Sequence, residues 1–457
     1  MTPRGAATAP ARRQWILLAV VFVLSLPAVT PRLYSSDEIQ YFSYLRSMWF
    51  DRDLDFENEY QYFYDRGIAR SEGFHETFLE RATPTGRRIS FATLGCAVLW
   101  APFYAVGDLV ARAGAGPADG FSKPYIAAVA YGSAVYALLA LVLAIHSARL
   151  LGLDAFIAGF VIWLGTPLLF YAYIAPPYSH ACSAFAVSLF IHVWLRVRDR
   201  WTARGLVALG ATGALMAMVR EQDIFFAAGP ALDFLWSSWQ PEAASWKPEA
   251  GSRKLAAVLA AAAAFAVVYT PQALAYLRLN GHVGPHSSVG AKMNWVSPHA
   301  LQVLFSPEHG FFIWTPLAFI AIAGICFLQR KSVAICLLLM VALQVYVGGS
   351  VESWTVAGAF GQRRFIALTT ALILGYAALE ARLRSAAARR ALAAVAILFV
   401  YWNLALTAEF AVGLMDRQRL EPAKNAYDAF FTLPRMAPGL VYRYLFDRAS
   451  FYRGPAS

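Results

Sequence analysis

Asp37 and Glu38 are adjacent carboxylates that follow an apolar run by only a few residues. A carboxylate held at a membrane boundary can take a proton from a hydroxyl or amine during group transfer. Low-dielectric surroundings and a neighbouring like charge raise the pKa of one member of such a pair. A solvated cap after a helix is the plainer reading, and the residues alone leave both open. A second acidic stretch, DRDLDFENEY, alternates acids at Asp51, Asp53, Asp55, Glu57 and Glu59. Carboxylates at that density suit a hard divalent cation, with Asp51, Asp53 and Asp55 as candidate ligands. The stretch lacks the glycine and the spacing of a helix–loop–helix calcium site, so a solvated acidic loop is favoured and no metal is assigned.

Basic residues return in three groups. Arg87 and Arg88 stand in LERATPTGRRIS, His282, His286 and Lys292 in NGHVGPHSSVGAKMNW, and Arg363 and Arg364 in SWTVAGAFGQRRF. A guanidinium fork matches phosphate oxygens. Each group alone also fits contact with lipid headgroups, but three on one face point to an anionic, lipid-linked ligand. Arg220 interrupts apolar sequence in MAMVREQDIFF, where an ionisable residue is expensive and is paired or functional; a tight turn with an internal Arg–acid pair is the plainer reading, and a substrate contact is the other. His180, after the double proline in APPYSHACSAF, is a substrate contact or a helix cap. The sequence contains no HExxH, nucleophile elbow, phosphate-binding glycine loop or dinucleotide motif, so the energy for bond formation must arrive with the substrate.

These residues must be positioned by membrane helices. The 457-residue chain is 59% hydrophobic and 15% charged, against roughly 45–50% and 25% in soluble domains. Its apolar runs are long enough to cross a bilayer core, which takes about 20 residues. Twelve segments qualify: 15–32, 91–110, 125–146, 153–173, 179–195, 205–219, 221–236, 255–278, 311–328, 332–348, 363–380 and 390–410. The first is read as a retained helix rather than a cleaved leader. An all-α, polytopic membrane protein is expected, with one integral-membrane domain over 1–410 and a tail over 411–457.

The net charge of +11 sits largely in turns between apolar runs, where it sets orientation rather than marking a nucleic-acid partner. Arg4, Arg12 and Arg13, then RVRDRWTAR, QRK at 329–331 and ARLRSAAARR, place those turns in the cytoplasm. The segments 33–90 and 279–310 then face outward, and eleven acids against four arginines between Asp37 and Glu80 agree. Parity fails between 91 and 196, where one run either does not cross or hides another crossing; the side of the tail is open for the same reason. The linker 237–253 reads as a cytoplasmic loop without chemistry. Cys96, Cys182, Cys326 and Cys336 lie scattered in apolar sequence as packed thiols, not as disulfides or metal ligands.

Asp37–Glu38 after the first helix, the DLDFENEY run, FSPEHGFFIWTPL at 305–317 and SWTVAGAFGQRRF at 353–365 resemble bacterial members of the integral-membrane C-type glycosyltransferase superfamily. More narrowly, the chain is similar to the protein-mannosyltransferase/aminoarabinose-transferase-like group, over roughly 15–410. The resemblance implies eleven to thirteen transmembrane helices and a first external loop of amphipathic surface helices over a cavity at the membrane boundary. It implies a polyprenyl-phosphate sugar as donor, with a lipid-linked glycan, cell-envelope component or protein as acceptor. It gives Asp37 the catalytic role with Glu38 beside it, and offers Arg87, Arg88, Lys292, Arg363 and Arg364 for the donor phosphate. Where relatives carry basic residues after the proline of FSPEHGFF, this chain has Glu308–His309, which leaves His309 as a candidate substrate contact. A divalent metal is required by some relatives and not by others. The implied place is the bacterial inner membrane with the site facing the periplasm. A transporter or flippase of a lipid-linked saccharide, or a non-catalytic subunit of a glycan-assembly system, are the rival readings.

Overall fold

The computed structural model describes residues 12–69, 71–239, 248–447 and 450, so Arg4 and residues 240–247 of the 237–253 linker lie outside the described residues. Among those described, seven helices are long and apolar enough to span a bilayer: Gly95–Ala115, Lys123–Leu150, His180–Val197, Leu255–Asn280, Lys331–Ser350, Arg363–Arg382 and Ala386–Val412. Ala203–Val219 and Pro316–Ile325 are shorter apolar helices. Strand pairing among the described residues is limited to two isolated bridges. The chain is all-α and polytopic, as its hydropathy requires.

Several helix limits are written locally. Thr202 caps Ala203–Val219 and Ser385 caps Ala386–Val412, each by accepting a main-chain N–H. Gly413, at φ 76°, ends the latter in the left-handed conformation that glycine tolerates. Three expected spans are broken. The 153–173 run becomes Phe156–Leu164 and Leu168–Tyr173, separated at Gly165-Thr166-Pro167, where proline removes a helical donor. The 221–236 run opens as a 3-10 turn, Glu221–Ala227, before Ala228–Trp239. The 311–328 run divides into Phe311–Trp314 and Pro316–Ile325. The irregular segment between 91 and 196 is therefore 153–173, whose two pieces are each too short to cross alone.

The 33–90 segment is helical at Ser36–Arg46 and Glu57–Asp65, with π-helical turns at Ser47–Asp51 and His75–Glu80. Its aromatic faces turn inward. Tyr44, Phe56, Tyr60 and Phe63 are fully buried, and Tyr62 stacks on Phe121 at 3.9 Å between centroids. Edge contacts join Phe42 to Phe63 and to Tyr104, so this loop is braced on the membrane bundle.

The tail reaches the same end of the bundle as Asp37. Leu420 N–H donates to the Pro307 carbonyl at 2.9 Å, Gly358 N–H to the Arg417 carbonyl at 3.1 Å, and the Tyr444 hydroxyl to the Pro27 carbonyl at 3.0 Å. Cys96, Cys182 and Cys336 are buried free thiols, whereas Cys326 is exposed.

Candidate functional site

Asp37 stands in the first turn of the Ser36–Arg46 helix, and the start of that helix is fixed reciprocally. Ser35 Oγ accepts from the Glu38 N–H at 3.3 Å, while Glu38 Oε2 accepts from the Tyr34 and Ser35 N–H groups at 2.8 and 3.0 Å. Glu38 is completely buried. Burial pushes its carboxyl up to about 8, against the pull of those two amides, with Asp37 adding to the rise. The expected carboxylate pair is thereby divided. Asp37 opens to a cavity, and Glu38, a second catalytic acid by sequence, turns inward to hold the helix start.

The cavity measures about 530 Å³. Asp37, His180, Arg220, Lys292, Arg363 and Arg364 all line it. Four cations thus meet from three chain segments distant in sequence. Asp37 Oδ2 lies 2.9 Å from Arg363 Nη2, and the Asp37 side chain still keeps 42% of its surface accessible to a ligand. The Arg363 guanidinium also lies 5.1 Å from the Tyr178 ring centre. Arg364 donates to the carbonyl and hydroxyl of Ser353.

Local backbone devices place each cation. The Ala203–Val219 helix stops at Arg220, whose backbone is extended. Thr93 Oγ1 donates to the freed Val219 carbonyl at 2.8 Å. At Gly95 a Cβ would come within 2.4 Å of the Met218 carbonyl carbon, so this close approach requires glycine. Lys292 is held by pairing with 350–352: Glu352 N–H donates to its carbonyl at 2.8 Å and Asn294 N–H to the Ser350 carbonyl at 2.7 Å. Its ammonium lies 5.6 Å from the Phe91 ring centre. Before Arg363, Gly361 adopts φ 58°, and a Cβ there would meet Pro167 Cγ at 2.9 Å.

The Arg–acid pair of the plainer reading does not form at 220–223. Glu221 accepts a hydrogen bond from the Tyr276 hydroxyl, and Asp223 accepts from Ser183 Oγ at 2.5 Å. Arg220 is 9% exposed, and its Nη1 is buried with no protein hydrogen-bond partner. His180 lies between Tyr171 and Tyr178, with its Nδ1 also buried and unpartnered.

Other candidates lie elsewhere. Arg88 pairs with Glu57 at 2.9 Å, and Arg87 lines a different cavity. His282 is exposed. His286 caps the short 287–291 turn, meets Phe91 edge-on and is not among the residues lining the cavity. His309 is buried, donates from Nε2 to the Ala359 carbonyl at 2.8 Å and stacks on Trp314. The acids at 51–55 are satisfied within the protein: Asp51 by Arg46 and Asn58, Asp53 by Ser47 and the Asp55 amide, Asp55 by the Glu57 amide. Among the described residues no three His, Cys, Asp or Glu side chains converge as a metal-ligand group. Gln40, Tyr41, Tyr178 and Trp295 also line the Asp37 cavity, and residue type alone did not mark them.

No family model matches the chain, and no curated protein matches it in sequence. Its fold is similar to that of ArnT from Cupriavidus metallidurans. For the structure bound to undecaprenyl phosphate the TM-score is 0.57 at 14% identity, covering 97% of this chain and 73% of that one. For the apo state the TM-score is 0.55 at 15% identity, with the same coverage. The chain has an all-α, polytopic fold of the kind seen in those two ArnT structures.

Proposed function

We propose that this protein is a glycosyltransferase of the C-type superfamily. It moves a sugar from a polyprenyl-phosphate donor to a glycan, lipid or protein acceptor at the periplasmic face of the bacterial inner membrane. The observation that carries the reading is an accessible carboxylate, Asp37, in a cavity with four cations, where the other lining acid, Glu221, is bonded to Tyr276. The similarity in fold to a protein solved with undecaprenyl phosphate supports it.

The acceptor hydroxyl or amine forms a bond to the anomeric carbon as the bond from that carbon to the phosphate oxygen breaks. Asp37 takes the acceptor proton. The phosphate leaves with the bonding electron pair, and Arg220, Lys292, Arg363 and Arg364 stabilise the charge that develops on its oxygens. Glu38 acts through the helix start and does not touch the reacting atoms.

The test is a transfer assay on purified protein in lipid, with radiolabelled polyprenyl-phosphate sugars, a membrane extract as acceptor source, and Asp37→Asn protein alongside. Label entering a new product only with Asp37 intact is the expected result. Label that changes leaflet equally in both proteins, without changing chemical form, overturns the reading in favour of transport.

A further inference from the structure

A second cavity of about 520 Å³ opens between the 33–90 segment and the end of the Leu255–Asn280 helix. It shares no lining residue with the Asp37 cavity. Three arginines line it: Arg52, Arg87 and Arg278. Its single acid, Asp53, is already committed, accepting from Ser47 Oγ at 2.7 Å and from the Asp55 N–H at 3.1 Å. None of the three guanidinium groups forms an ion pair or side-chain hydrogen bond among the described residues.

The cluster is held by the fold. Arg52 follows the π-helical turn Ser47–Asp51 in the left-handed conformation, at φ 60°, with its N–H bonded to the Ser47 carbonyl at 2.8 Å. Arg87 closes the turn in which Thr83 N–H donates to its carbonyl at 2.8 Å. Thr85 Oγ1 then donates to the Leu279 carbonyl at 2.7 Å, fastening that turn beside Arg278. The remaining wall is apolar, with Met48, Leu54, Leu94, Pro271, Leu274 and Ala275. Leu274 and Leu277 are 56% and 47% exposed on a helix apolar enough to span the membrane.

Three guanidinium charges against the one carboxylate of Asp53 leave the cavity net positive and repel one another, and an anion relieves that repulsion. Guanidinium groups above an apolar wall match a phosphate that carries a hydrocarbon chain. We propose that this cavity binds the phosphate headgroup of an anionic phospholipid of the surrounding bilayer, with an acyl chain along Leu274. The site is separate from the Asp37 cavity. The 91–94 segment stands between the two, with Thr93 lining one, Leu94 lining the other, and the Leu94 N–H bonded to Gln272 Oε1 at 2.7 Å.

Native mass spectrometry of the full chain, titrated with phosphatidylglycerol or phosphatidylcholine, tests this. The parent is expected to retain one phosphatidylglycerol in preference to phosphatidylcholine. Combined Arg52→Gln, Arg87→Gln and Arg278→Gln substitution is expected to weaken that binding at least tenfold, and Arg81→Gln, at an arginine paired with Glu76, to leave it unchanged. Leu274→Trp fills the apolar half while keeping every charge, so it is expected to lower retention too, with a melting temperature within a few degrees of the parent. Equal retention of both lipids, or unaltered retention by the triple variant, overturns the proposal. Two competition arms fix the source of the phosphate. Displacement by millimolar inorganic phosphate would make this a free-anion site, and displacement by substoichiometric polyprenyl phosphate would make it a site for that carrier; either outcome overturns the phospholipid assignment.

Discussion

Asp37 and Arg363, 326 positions apart in the chain, form an ion pair at 2.9 Å on the wall of the cavity. Under the proposed function, the contact gives one guanidinium two competing partners, the carboxylate in the free protein and a donor phosphate in the loaded one. A phosphate that recruits Arg363 loosens its hold on Asp37, and the carboxylate is then available for the acceptor proton. Arg364 is tied to Ser353 and Lys292 to the 350–352 segment through its main chain, so cations remain in place around that exchange.

Replacing Asp37 with Asn keeps size and shape but removes both the proton acceptor and the negative charge. Transfer is expected to fall at least a hundredfold while expression and the melting temperature hold. The assay of product per unit of folded protein decides it, and normal turnover in this variant would sink the catalytic assignment.

Arg363→Lys and Arg363→Gln separate charge from geometry. Lysine retains a point charge without the planar fork, and glutamine removes the charge. Transfer is expected to drop roughly tenfold in the first and a hundredfold or more in the second, consistent with loss of an interaction strongest as the phosphate departs. Single-turnover rates at saturating donor check the order; equal rates for the two variants would contradict it.

Asp37, Lys292 and the 363–364 pair were legible because charged residues at the ends of apolar runs are expensive and therefore informative. Long-range pairing was not legible. Nothing local says that Arg88 meets Glu57, or that Arg87 faces away from Asp37. The inward turn of Glu38 did have a signal: Ser35 three residues before Glu38 is the capping-box spacing, and it competes with a catalytic reading of the same acid. The break within 153–173 was also written, in Gly165-Thr166-Pro167, although hydropathy averaged over it. Gln40, Tyr41 and Tyr178 carried no mark, because aromatic and amide residues are common in packed membrane-boundary segments.

Glu38 makes stability depend on pH. Its carboxyl titrates near 8 in the folded protein, against 4.5 ordinarily, so between those values the folded state binds more protons than the unfolded one. Its contribution is fully present below about 4.5 and is lost as pH rises through about 8. Glu38→Gln keeps an acceptor oxygen for the Tyr34 and Ser35 amides and removes the titration. Thermal melts across pH 5 to 9 are expected to show a shallower decline in this variant, with transfer near the parent level at pH 7. Glu38→Ala removes the reciprocal half of the capping box while Ser35 stays, at a cost of about 1 kcal/mol, and is expected to lower transfer as well by loosening the helix start that carries Asp37. An unchanged pH profile in Glu38→Gln would place the titrating group elsewhere.

Arg220 sets stability against function. Its side chain is nearly buried and Nη1 has no hydrogen-bond partner, while the acids on either side of Gln222 are bonded to Tyr276 and Ser183. A buried cation without a full set of partners destabilises the ligand-free fold, and under the proposed function an arriving phosphate would supply the missing acceptors. Arg220→Met retains the length and apolar stem. The ligand-free variant is therefore expected to melt higher than the parent, by one or two degrees, and to lose most of the further rise that a non-transferable polyprenyl-phosphate analogue gives the parent. Paired melts with and without the analogue read both effects. A variant that melts lower yet keeps the full ligand-induced rise would mean that Arg220 holds the helix break together and does not meet the donor.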